Sequence, residues 1–241
     1  MNSIQNPFSQ TTDFQSQSLV RTFMTNVFTW MFVAMALTAL IAYTAAGNAS
    51  FLNIMINPET GGMSIMGWIV MLSPLGLVLW MSAGFAKMSA NTMTLVFIAY
   101  SVLMGLSLSF IFLAYTGSSI AKTFMITSAM FGLMAVLGFT TKTDLSKFGS
   151  IMMMGVIGIV VASLVNFFMK SSMLDYIISF VGVLVFTGLT AYDVQKLKRI
   201  GSAAIEHGDT MRKVTLMGAL TLYLDFINLF LFLLRFFGDR K

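Results

Sequence analysis

Residues 216–237 read LMGALTLYLDFINLFLFLLRFF, an apolar run interrupted near its middle by one carboxylate, Asp225. A helix of about 20 mostly apolar residues spans the ~30 Å hydrocarbon core of a bilayer. Asp225 therefore falls near the midplane, where a carboxylate costs at least ~2.5 kcal/mol. Gly218, Thr221 and Asn228 recur around it at helical spacing and gather the polar groups of this helix into one narrow stripe. Such a stripe faces protein or water, not lipid. An acid placed there either cements helices through hydrogen bonds or handles ions and protons, and the second use is the default for an intramembrane acid.

The rest of the chain agrees with a membrane setting. Of 241 residues, 57% are hydrophobic and only 10% charged, where a soluble domain carries about 25% charged residues. The apolar residues fall in long runs, without the period-2 alternation of a membrane barrel. The net charge of +5 sits largely in loop Lys and Arg, so it reads as topology and contact with membrane lipid, not as a nucleic-acid face. With no Cys there are neither disulfides nor thiolate metal sites. The many Met residues read as flexible packing of lipid-facing helices.

Seven spans are expected, near 24–46, 65–86, 93–115, 120–140, 149–169, 175–196 and 214–236. Residues 1–20, rich in Gln, Ser, Thr and Asn, read as a polar disordered tail ahead of one membrane domain, 21–241. The apolar run after Arg21 is too long for a signal peptide. Only the connections 47–64 and 197–213 are of any length, and neither could house an enzyme domain. No HExxH, GxSxG or phosphate-binding glycine loop occurs, so no enzyme is expected. Rows of small residues mark expected helix contacts: Ala34, Thr38, Ala42 and Ala46; Ser101, Gly105 and Ser109; Ser128 and Gly132; Gly155, Gly158 and Ala162. Pro74, next to Ser73, should kink the second span. With the N-terminus in the cytoplasm, nine Lys/Arg lie on the inner side and five on the outer, which places the C-terminus outside.

A second acid, Asp193, ends the sixth span in FTGLTAYDVQKLKRIG, with Thr190, Phe186, Gly182 and Ser179 on its own face. It is read either as a hydrated acid paired with Lys196 or Arg199, or as a partner for Asp225. Two carboxyls in one interior titrate as a coupled pair and would hold one proton near neutrality. Asp193 and Asp225, with Asn228, Thr221 and Thr190 as a supporting polar stripe, offer the oxygens a hard cation such as Ca²⁺ selects. They are too few for a cage of six to eight, so transient passage is expected and no tightly bound cofactor. One difficulty is geometric: Asp193 lies three residues before Lys196, whereas Asp225 lies twelve past Lys213. Along helices these are ~4.5 Å and ~18 Å from the basic ends. The acids meet only if helices tilt or the 197–213 segment dips into a vestibule. His207, the one histidine, reads as solvated in its polar segment, with pH sensing as the alternative.

Gly105-Leu106-Ser107-Leu108-Ser109, Thr190-Ala191-Tyr192-Asp193 with the basic run after it, and Leu222-Tyr223-Leu224-Asp225-Phe226-Ile227-Asn228 resemble the Bax inhibitor-1 family. Residues 115–132 and 138–166 extend the likeness, towards its bacterial branch. The resemblance implies an all-α integral membrane fold of seven helices, the last one central and surrounded by the other six. It also implies a pH-sensitive calcium leak, set in the inner membrane of a bacterial cell and gated by the paired acids, which carry over to Asp193 and Asp225. Two departures stand out. The acids are further apart in sequence than in compact family members, and the second span has no Lys, Arg or His to latch onto the first acid. The alternative is therefore a non-conducting regulator, because some bacterial relatives modulate a membrane-anchored protease.

Overall fold

The computed structural model describes residues 7–57, 60–203 and 208–241. Its helices are α1 (Pro7–Ala46), α2 (Ala49–Met55), α3 (Ile65–Gly84), α4 (Ala90–Leu108), α5 (Ile111–Ala114), α6 (Gly117–Thr140), α7 (Ser146–Met169), α8 (Ser172–Ala203) and α9 (Asp209–Phe237). Among the described residues there is no strand, only isolated bridges of Ile56 with Met63 and Tyr115 with Arg240. With α4 and α5 counted together, seven helical segments are long and apolar enough to cross a membrane, as the hydropathy runs require.

Helix starts follow from local chemistry. Ser64, Ser89 and Thr116 stand before α3, α4 and α6 and accept hydrogen bonds from the N–H groups of Gly67, Thr92 and Ser119. Each satisfies a donor that the first turn would leave bare. Helix α1 is described from Pro7, so residues 7–20 of the segment expected to be a disordered tail are helical. Extending an existing helix is far easier than nucleating one. Residues 1–6, and His207, lie outside the described residues.

Two spans are less regular than a hydropathy window implies. Pro74 sits inside α3, where it can offer no N–H to the carbonyl of Val70; the Ser73 hydroxyl donates to that oxygen instead, at 2.9 Å. The third span breaks after Leu108. The Ser109 hydroxyl donates to the Leu106 carbonyl at 2.6 Å, and the helix resumes as α5. A hydroxyl competing for backbone carbonyls is a local reason for such a break.

The chain reverses at each connection. One end of the bundle carries Arg21, Lys87, Lys142 and the α8–α9 connection, and is called the basic end below. Helix α9 packs along α8, α1, α6 and α4, while α3 packs along α4 and α7 along α8. Of the six spans expected to ring the last one, then, these four line it, and α3 and α7 are carried by its neighbours. Buried α1 and α4 meet where expected: a Cβ at Gly105 would come within 2.7 Å of the Thr38 carbonyl, and the Thr38 hydroxyl donates to Ser101 O at 2.9 Å. The Thr38 hydroxyl also meets the Tyr223 hydroxyl at 2.8 Å, which ties both helices to α9.

Two other expected rows hold only in part. Gly155 does meet Val185 of α8, at 2.7 Å from where a Cβ would stand, whereas Gly132 and Gly158 have open space there. The buried face of α6 runs instead through Ser119, Thr123, Thr127, Phe131, Ala135 and Gly138. Phe131 interrupts that row of small groups, which hides it from a search for small residues at fixed spacing.

Candidate functional site

Helices α8 and α9 are the most buried spans, with 61% and 67% of their apolar windows inside the protein. Their contacts fix an antiparallel register. Gly182 of α8 lies under the Phe232 ring, Phe186 stacks on the same ring at 5.7 Å between centroids, and Leu197 presses on Gly218. In that register Asp193 and Asp225 fall at one depth. Gly138 of α6 abuts the Ala191 backbone so closely that a side chain there would overlap it, which holds a third helix against the site.

Asp193 is 7% exposed and Asp225 5%. The two carboxyls thus lie close across the α8–α9 seam, where two ionised groups would repel and sharing one proton would relieve them. Oδ2 of Asp225 is buried without a hydrogen-bond partner among the described residues. Lys196, one turn further along α8, is the cation whose charge acts on Asp193.

The depth difficulty resolves in the helix lengths. Helix α8 does not stop at its basic cluster but continues to Ala203, so Lys196 and Leu197 lie beside Met217, Gly218 and Thr221, well along α9. Between them is a cavity of about 250 Å³ that Asp193, Lys196, Thr221 and Phe85 help to line. The Lys213 ammonium donates to Phe85 O at 3.0 Å and so ties the start of α9 to the end of α3.

The expected polar stripe does not serve the acids directly. Thr190 donates to Phe186 O at 2.8 Å, Thr221 to Met217 O at 3.0 Å, and Asn228 to Leu224 O at 2.8 Å. Each returns its donor to its own helix, four residues back. Among the described residues no cluster of three or more His, Cys, Asp or Glu side chains is assembled for a metal.

Two features lay beyond sequence reasoning. Buried Gln195, beside the acids in sequence, accepts from Leu145 N and donates to Thr143 O, both at 2.8 Å, and so pins the α6–α7 connection to α8. At the other end of the bundle Asp175 pairs with Arg235 at 3.2 Å and Arg240 at 4.0 Å. There Asp239 N donates to Ser119 Oγ at 2.9 Å, and Lys241 N to Ala114 O at 3.1 Å. An acid in the first turn of α8 was the available signal, but its partners come from a segment sixty residues away.

Comparison with known proteins places this geometry in a lineage. The family described as inhibitor of apoptosis-promoting Bax1 matches residues 20–241. The inner membrane protein YbhL of Escherichia coli K12 is 48% identical over 229 residues, covering 94% of this chain and 95% of that protein. An uncharacterized protein of Rickettsia prowazekii is 43% identical over 222 residues, covering 92% and 91%. One from Borreliella burgdorferi is 44% identical over 219 residues, covering 91% and 92%. Seven membrane-crossing helices, and a match over all but the first nineteen residues, make this chain a membrane protein of the Bax inhibitor-1 family.

Proposed function

We propose that the protein is a proton-controlled leak for calcium ions, with Asp193 and Asp225 as its gate. The observation that supports this reading is the burial of two carboxyls at one depth of the α8–α9 seam, with Asp193 lining a cavity on the basic side. Removing the shared proton leaves two like charges in contact, and their repulsion favours parting the two helices. The same oxygens then attract a cation. Two carboxylates fall short of the six to eight ligands of a tight calcium site, which suits passage over storage. Beyond the pair, the rings of Phe186 and Phe232 stack across the seam, as suits a closed state of the proposed leak. Protons and calcium ions are thus the partners of the site, and no step of catalysis is assigned to it.

A second reading, a non-conducting regulator of a membrane-anchored protease, is favoured by one observation. Helix α1 continues from its apolar span, Gln17–Ala46, back to Pro7, an extension whose Gln-, Ser- and Thr-rich sequence suits a protein partner. The Lys/Arg bias orients this extension and the α8–α9 connection to the cytoplasm, in a cell's inner membrane, with Lys241 outside. A cysteine at Ser202 should then resist an impermeant thiol reagent in intact cells, and one at Gly238 should react; the reverse pattern would overturn the orientation. Calcium flux into liposomes containing only the purified protein separates the two functions. Flux that varies with pH is expected for the leak, and none for the regulator.

A further inference from the structure

A second cavity lies away from the acid pair. A cleft of about 960 Å³ opens at the basic end, where Arg21 of α1, Lys142 of the α6–α7 connection, and Lys198 and Arg199 of α8 converge. Among the described residues Asp144 is the one acid lining it. Hydrogen bonds from the side chain and backbone of Ser146, then the Arg199 guanidinium, hold the Asp144 carboxyl below its ordinary range, so it is ionised and committed to Arg199 at 3.1 Å. Lys198 donates to the Phe139 carbonyl at 2.7 Å, which leaves its charge uncompensated. Arg21 and Lys142 have no acidic partner among the described residues. Among the described residues the cleft therefore carries positive charge in excess.

Directly beneath it, sharing Arg21 and Phe139, runs a second hollow of about 590 Å³ whose lining is mostly apolar. Its walls are α1 from Arg21 to Phe32 and α6 from Ala135 to Thr140, two helices that do not pack along one another. The eleven helical rises from Arg21 to Phe32 measure ~16 Å, about half the ~30 Å hydrocarbon thickness, or one leaflet. Phe32 and Val136 on its rim are 70% and 62% exposed. A cationic mouth above an apolar groove one leaflet deep matches a molecule with an anionic head and a long hydrocarbon tail.

We propose that the α1–α6 cleft is a binding site for an anionic phospholipid, its phosphate held by Arg21, Lys142 and Lys198 and one acyl chain laid between Met24 and Phe32. A free anion would use only the mouth and a zwitterionic lipid only the groove. The proposal does not depend on whether the protein conducts.

Native mass spectrometry of the full chain in detergent tests it, with phosphatidylglycerol and phosphatidylcholine of identical acyl chains as probes. The wild type should retain phosphatidylglycerol preferentially; equal retention of the two would overturn the proposal without any variant. Arg21→Gln with Lys142→Gln should weaken phosphatidylglycerol retention about fivefold per charge, roughly 25-fold together. An unchanged preference in that variant would also overturn it. Val136→Trp, which fills the groove from its exposed rim, should lower phosphatidylglycerol retention. If it does not, or if millimolar inorganic phosphate displaces the lipid completely, the mouth is an anion site alone and the lipid assignment fails.

Discussion

Helices α7 and α9 invert the rule that governs soluble proteins. The apolar window of α7 is the more hydrophobic of the two, yet only 6% of it is buried, against 67% for α9. Ile157, Leu164 and Phe168 of α7 lie more than half exposed on the side-chain face that meets lipid. Asp225, Tyr223 and Thr215 of α9 are enclosed by other helices. Where the surroundings are themselves hydrocarbon, apolar surface gains nothing by turning inward. Close packing and polar satisfaction decide which helix goes inside. Hydropathy therefore measures how long a segment remains in lipid, while small and polar residues report its depth in the protein.

The strongest test of that distinction lies within a single helix. Gly138→Leu and Gly132→Leu place the same side chain six residues apart on α6, one against the Ala191 backbone and one in open space. The first should cost about 3 kcal/mol or more and lower the thermal midpoint in detergent. The second should stay within ~0.5 kcal/mol. Equal midpoints for both variants would remove the basis for calling one face internal.

An acid moved to the other region breaks the comparison from the opposite side. Ile157→Asp sets a carboxylate on the lipid-facing surface of α7, 61% exposed in the native chain. It should cost at least ~2.5 kcal/mol and sharply reduce the amount of protein recovered from membranes. Normal recovery would mean that this face of α7 meets water or another protein.

Asp225→Asn sharpens the comparison from inside. The amide keeps the shape and the hydrogen-bonding capacity, so the helices should still insert and pack within about 1 kcal/mol of the native stability. Without a titrating pair, reconstituted calcium flux should lose its dependence on pH. Asp193→Asn should act alike, and the double variant should be no worse than the stronger single one, as for groups acting as a unit. An unaltered pH profile in either single variant would end the gate assignment.

The smallest effect is expected from Asp144→Asn. Its carboxyl pKa is depressed in the folded chain, chiefly by hydrogen bonds from Ser146, so its contribution to stability is present above the unfolded pKa and fades only as pH falls through the lower folded value. That window lies in acid, far from neutrality. The pH profile of flux near neutrality should therefore match the wild type. A profile displaced by this change would place part of the pH response at the surface instead of in the seam.

How much of this was legible in the sequence depends on the length scale over which each feature is encoded. Spans are local: twenty apolar residues suffice, and all seven were readable. Asp193 and Asp225 were also readable as acids within apolar helices, since such an acid stands out by itself. Their common depth was not, because it depends on how far α8 runs past Lys196 and on the register set by Phe232 against Gly182 and Phe186. The roles of Gln195 and Asp175 were hidden for the same reason, their partners lying far away in the chain. Thr221, Thr190 and Asn228 show the converse limit. Helical spacing placed them near the acids, but their donors found nearer acceptors on their own helices.

The broken third span carries a consequence for synthesis. Helix α5 is a single short turn, and the carbonyls of Phe112 and Ala114 at its end are met by the ammonium and backbone N–H of Lys241. Those partners lie 129 residues apart in the case of Phe112. At the ~5–20 residues per second of a working ribosome, on the order of 6 to 26 s separates the emergence of one from the other. Through that interval the end of the third span must satisfy its backbone with water, lipid headgroups or the translocation machinery. Addition of residues 239–241 is thus the event that closes a helix end made long before.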